Sequence, residues 1–159
     1  MASKMFAGDA LFAAAAECFV TINGTRYNFA HAISLEAKAE KDKMTVDILG
    51  SMSKGNKAAG ITYTGSMTLH YNQSIMRKMI YEYANTGVDT YFDIQIVNED
   101  KTSRVGRQEV ILKNCNIDGG IIAAFDASSS DDLQEDVDFT FESFEMPEMF
   151  KDLDVLTSA

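Results

Sequence analysis

The alternation between residues 61 and 71 constrains this chain more than any other feature. Odd positions carry Ile61, Tyr63, Met67, Leu69 and Tyr71, with Gly65 as the single gap, while even positions carry Thr62, Thr64, Ser66, Thr68 and His70. Successive side chains of a strand point to opposite faces, so this segment has one apolar face and one face of hydroxyls. It reads as a half-buried strand of an antiparallel sheet.

Other segments repeat the pattern. Residues 19–22 and 26–29 flank Asn23-Gly24, a pair that tolerates positive φ at both turn positions and so signals a tight hairpin. Residues 32–40 carry conflicting signals. Their alanines, with Leu35, Glu36 and Lys38, favour a helix by propensity. Yet Ile33, Leu35, Ala37 and Ala39 alternate with Ser34, Glu36, Lys38 and Glu40, and on a helix those apolar positions would wind round the whole surface. A strand is therefore expected, prolonged by Met44, Val46 and Ile48.

A loop is expected over residues 49–60, which hold Leu49, Gly50, Lys54, Gly55, Lys57 and Gly60. Its length marks it as a segment with a job. Residues 74–84 switch to helical spacing, with Ile75, Met76, Met79, Ile80 and Tyr83 on one side and Asn72 or Ser74 available as a cap. Strands follow at 90–97, 108–117, 121–125 and 137–141, with a Ser/Asp-rich connector at 127–136 and a tail from Glu145. The fold class is thus mainly β, an antiparallel β-sandwich or open barrel with one packed α-helix. Residues 1–16 form an N-terminal arm, 17–146 the domain and 147–159 a C-terminal tail.

Charge narrows the partners. The 159 residues carry a net charge of -10, which argues against a protein that grips nucleic acid by neutralising phosphates. The stretch 1–17 lacks the uninterrupted apolar run of a signal peptide because Asp9 breaks it, and no segment is long enough to span a bilayer. Cys18 and Cys115 lie far apart with no metal-ligand spacing; they read as small buried thiols, with a disulfide between them left open.

Catalytic constellations are thin. His31 and His70 have no partner ligands nearby, and no metal or cofactor is expected. Ser51 and Lys54 have the spacing of some serine acyl enzymes, but that chemistry needs a helix start, and Gly55-Asn56 follows at once. Gly50 and Gly55 have phosphate-loop spacing without the lysine and hydroxyl that must come next. The acidic run 131–136 lacks the glycine-centred pattern of a calcium loop.

The order of these signals resembles phage tail tube proteins of contractile-tailed phages and of phage-derived bacteriocins of Gram-positive bacteria. The resemblance runs from about residue 17 to 150. It is carried by Thr21-Ile22-Asn23-Gly24, the strand from Leu35 to Glu40, and Ile48-Leu49-Gly50. Beyond these it rests on Thr64-Gly65-Ser66-Met67-Thr68-Leu69-His70-Tyr71, the helix from Ile75, Phe92-Asp93-Ile94-Gln95-Ile96 and Phe139-Thr140-Phe141-Glu142-Ser143-Phe144.

The resemblance implies a structural, non-enzymatic subunit that joins as hexameric rings, strands of neighbouring copies closing one inner barrel. Rings stack into a tube, and residues 49–60 would be the loop that reaches into the next ring. Implied partners are further copies, sheath, baseplate or tail-tip, and tail-terminator proteins, with a tape-measure protein in the lumen. The subunit would be assembled in the bacterial cytoplasm and reside in a phage tail or tailocin particle, without membrane insertion. Independently, an acidic wall would repel phosphates and let DNA slide past unbound. The expected lumen face is Ser34, Glu36, Glu40, Thr62, Thr64, Ser66 and Thr68. The competing readings are a cytosolic β-sandwich that binds a ligand in its barrel mouth, and an enzyme using Ser51 and Lys54.

Overall fold

A computed structural model describes residues 7–11, 16–29 and 32–151. After a short 3-10 turn at Ala7–Asp9, strand β1 (Ala16–Ile22) turns back into β2 (Thr25–Asn28) through Asn23 and Gly24, with φ of 50° and 80°. Both turn residues are left-handed and Ile22 pairs with Thr25, the two-residue turn that Asn-Gly favours. The contested segment is a strand: β3 (Ala32–Asp47) pairs antiparallel with β4 (Lys54–His70). Packing Leu35 against the core opposite Met67 outweighs the helical preference of the alanines.

Helix α1 (Ile75–Thr86) follows, then β5 (Phe92–Glu99), β6 (Arg107–Ile117), β7 (Gln134–Thr140) and β8 (Ser143–Glu148). The strands connect in the order β2-β1-β5-β6-β7-β4-β3, with β8 also against β6. Strands β7 and β8 act as one bent strand along β6, since Ile117 faces Phe139 and Lys113 faces Ser143 in a continuous register. The bend lies at Phe141 and Glu142, whose amides reach the Tyr63 and Lys113 carbonyls.

A bulge turns β6 at the same level. Phe92 faces Cys115 but Ile94 faces Leu112, so β6 carries one extra residue there. Asn114 absorbs it at φ 54°, its amide donating to Asp93 Oδ1 at 3.1 Å and its side chain to Glu142 Oε2 at 3.0 Å. Bulges bend strands, and this one carries β6 out of the layer of β1 and β5 into that of β4 and β7.

The two layers close on a shared core of Val20, Ile94 and Leu112 from one side and Met67, Leu69, Val137 and Phe139 from the other. Met76 and Met79 of α1 complete it. The helix ends at Gly87, left-handed at φ 74°, whose amide bonds the Tyr83 carbonyl. Ser74 precedes the helix but makes no side-chain cap. The helix is pinned instead by Arg77, which lies over the Tyr71 ring, bonds the Gln73 carbonyl and pairs at 2.5 Å with Glu135, itself only 3% exposed.

Three expectations change. The loop of residues 49–60 is shorter: β4 begins at Lys54, so Gly55, Lys57 and Gly60 lie in a strand and the turn holds only residues 48–53. Residues 121–125 form no strand. The chain adds β8 where a tail was expected, running through Pro147 to Glu148. Pro147 is tolerated because among the described residues β8 pairs with β6 alone, beside a register shift. His31 and residues 152–159 of the expected tail lie outside the described residues, as does most of the N-terminal arm.

Candidate assembly surfaces

Register places the expected lumen residues together. Cross-strand partners share a face, and Ser34 faces Thr68, Glu36 faces Ser66, and Glu40 faces Thr62. Lys38 stands opposite Thr64 in the same row. On the far side of β4 the rows continue: Thr68 faces Asp136, Ser66 faces Asp138 and Thr64 faces Thr140, which faces Asn116 of β6. One wet sheet face results, with the core beneath it.

That face is acidic. Glu36, Glu40, Asp42, Asp136 and Asp138 stand on it, and a groove between β3 and β7 adds Asp118. Lys38 is the lysine among them, 3.3 Å from Glu36. The hydroxyls tie to the carboxylates: Thr62 donates to Asp42 at 3.3 Å and Thr68 to Asp136 at 2.7 Å. His70 ends the row, Nδ1 lying 2.5 Å from Asp132. The contribution of β7 is invisible in the sequence. Its alternation is plain, but nothing local says that β7 lies beside β4.

A second surface is the β3–β4 ribbon. Strand β7 covers β4 only from Thr64 onward, so residues 54–63 of β4 and their β3 partners form a two-stranded projection. At about 3.3 Å per residue it extends roughly 30 Å. Its tip is apolar and bare: Leu49 and Met52 are fully exposed, and Met44, Val46 and Ile48 are 37–51% exposed. A two-stranded ribbon is marginal in water, and a bare apolar tip marks a contact surface.

The third surface is a flank. Among the described residues β3 has a strand partner on one side only. Beside its first residues an open cleft of about 1090 Å³ runs toward β1, β5 and β6, lined by Cys18, Phe29, Leu35, Ile96, Val110 and Leu112.

The catalytic reading of Ser51 and Lys54 lacks its geometry. No helix starts at Ser51, whose Oγ accepts the Ser53 amide at 3.1 Å, and Lys54 opens β4 with its ammonium 3.6 Å from Asp47. The cysteines are free thiols, and burial pushes Cys18 up to about 11 and Cys115 up to about 12, the latter aided by the Asp93 carboxylate. Among the described residues no group of His, Cys, Asp or Glu is arranged to hold a metal ion, and no helix is long and apolar enough to cross a membrane.

Comparison with known proteins agrees with this architecture. A family model described as phage tail tube protein matches residues 3–148. The phage-like element PBSX protein XkdM of Bacillus subtilis (strain 168) is 37% identical over 123 residues, which is 77% of this chain and 83% of that protein. The protein YqbM of the same strain is 38% identical over 122 residues, covering 77% and 82%. Among solved structures, a chain of the sheath/tube terminator of an extracellular contractile injection system matches with a TM-score of 0.61 at 12% identity, covering 82% of this chain and 93% of that one. The SPP1 tail tube matches with a TM-score of 0.57 at 9% identity, covering 96% and 83%. Identities that low show a shared fold, whereas the family model and the Bacillus relatives establish kinship. This chain belongs to the phage tail tube protein family, structural proteins of phage tails and related tailocin particles.

Proposed function

We propose that six copies of this chain close into a ring, that rings stack into a tube, and that the face of β3, β4 and β7 lines its lumen. The carrying observation is the set of cross-strand rows running Ser34–Thr68–Asp136 and Glu36–Ser66–Asp138. They make a hydrated acidic wall backed by a dry core, suited to conducting DNA or a protein effector without holding it. Closing the sheet through identical neighbours also removes the lone edge of β3, a template for uncontrolled pairing in a free subunit.

The ribbon supports stacking. Its tip at Leu49, Gly50 and Met52 reaches beyond the domain, and Lys54, Gly55, Lys57 and Gly60 form the strand that carries it. In the tube the tip packs on the adjoining ring, covering side chains that the free chain leaves in water. Sheath, baseplate and terminator proteins are the outer and end partners, and a tape-measure protein occupies the lumen during assembly. Chains of this fold occur in a sheath-tube complex and in a baseplate.

Negative-stain electron microscopy of the purified chain over a concentration series tests the reading. Rings or hollow filaments are expected as concentration rises. A particle that stays monomeric at every concentration, with or without an assembled seed, would overturn it.

A further inference from the structure

Residues 121–125 read Ile-Ile-Ala-Ala-Phe, an apolar run bounded by turn residues, yet they form no strand in the single chain. Their side chains stand largely in water: Ile122 is 76% and Phe125 90% exposed. A run of this kind has the composition of a strand that lacks a partner.

Its place in the fold says where the partner is. Beyond Ile117 the chain keeps its register along β7, the Asp118 amide bonding the Asp138 carbonyl and Gly120 lying near Val137. Residues 121–125 therefore leave from one flank of the β6–β7–β4–β3 sheet, and β3 forms the opposite flank. At that opposite flank Leu35, Ala37 and Val110 line the cleft, Leu35 and Val110 half-buried and Ala37 exposed. The apolar run and the largely apolar cleft, whose lining also includes Glu17, Asn28, Glu36 and Asn98, are thus complementary, and they stand on opposite flanks of the sheet. The single chain leaves these two flanks apart, whereas identical copies can bring them together in the head-to-tail manner that closes into rings.

We infer that residues 121–125 of one copy dock against the β3 edge of the next, with Ile122 and Phe125 entering the cleft beside Ala37. The docked segment gains the backbone partners it lacks, in the manner of strand addition to an exposed edge. This rests on the ring reading above and names the segment that makes the lateral contact.

A photo-crosslinking benzophenone amino acid at position 125 tests the contact directly. In assembled material it is expected to link to residues 32–37 or to the β5–β6 cleft wall of another copy. Links confined to its own chain, to residues 1–16 or to another surface would overturn the inference. The double variant Ile122→Ser, Phe125→Ser should keep the wild-type unfolding transition, because both side chains are exposed in the free chain. It should need a concentration more than about tenfold higher to form rings. Ala37→Arg should do the same from the other side, and mixing the two variants should give dimers joined through the one intact interface. If both variants assemble like wild type, this contact is wrong while the ring stands. If wild type itself never assembles, both fall.

Discussion

Gly65 interrupts the apolar row of β4 because the Phe139 ring lies across it. A Cβ at position 65 would come within 2.3 Å of that ring. The gap in the alternation is therefore a packing site, where an aromatic on the neighbouring strand covers a glycine. Gly65→Ala should destabilise the chain by about 2–3 kcal/mol in chemical denaturation, the scale of overpacking a core. Combining it with Phe139→Ala should make the two losses less than additive. Additive losses would show that the ring does not need the glycine. The thiols make a second prediction at this scale. A native pKa raised from the ordinary 9.0 to about 11 for Cys18 and about 12 for Cys115 means that the folded state keeps these protons longer than the unfolded chain does. Their contribution is whole below about pH 9 and is lost as pH rises through 11 and 12. Replacing both by alanine should flatten that part of the stability–pH curve, measured by urea midpoints. An unchanged alkaline slope would place its origin in other groups.

Among the elements, the ribbon and the helix contrast most. Helix α1 is held by its buried methionines and by the ion pair of Arg77 with Glu135. Breaking a buried pair from one side strands the other charge, so Glu135→Ala should cost about 3 kcal/mol, with urea denaturation as the check. A loss indistinguishable from zero would mean Arg77 finds water instead. The ribbon has no such anchor. Beyond Tyr63 toward its tip, neither strand has a second neighbour among the described residues. Amides of residues 49–60 should exchange hydrogen rapidly in the free subunit and slowly in assembled tubes, read by mass spectrometry. Equal rates in both states would remove the ribbon from stacking.

For the whole molecule, the proposed conduction depends on a field that no single residue makes. The net charge of -10 is general, but the wall receives Glu36, Glu40, Asp136 and Asp138 together because β3, β4 and β7 are neighbours. In the ring proposed above, these carboxylates would hold phosphates off the surface. Tubes built from Glu36→Lys, Asp138→Lys subunits should retain short double-stranded DNA at low ionic strength and release it steeply as salt rises, whereas wild-type tubes should not retain it. DNA retention unaffected by the reversal would move the lumen to another face.

Much of the fold was legible in the alternation itself. The core strands carry their own instruction about which residues face inward, as Tyr63 to Leu69 does, and the Asn23-Gly24 turn fixes its hairpin locally. The hydroxyl face was legible for the same reason, since period-two patterning needs only neighbouring residues. What tertiary structure decided was adjacency. That β7 adds Asp136 and Asp138 to the polar face, that Lys54 to Gly60 extend a strand opposite Met44 and Val46, and that Ile121 to Phe125 find no strand partner among the described residues all depend on which strands meet. A strand needs hydrogen-bonding neighbours from distant sequence or from other chains, so composition shows the capacity to pair while the partner decides the outcome.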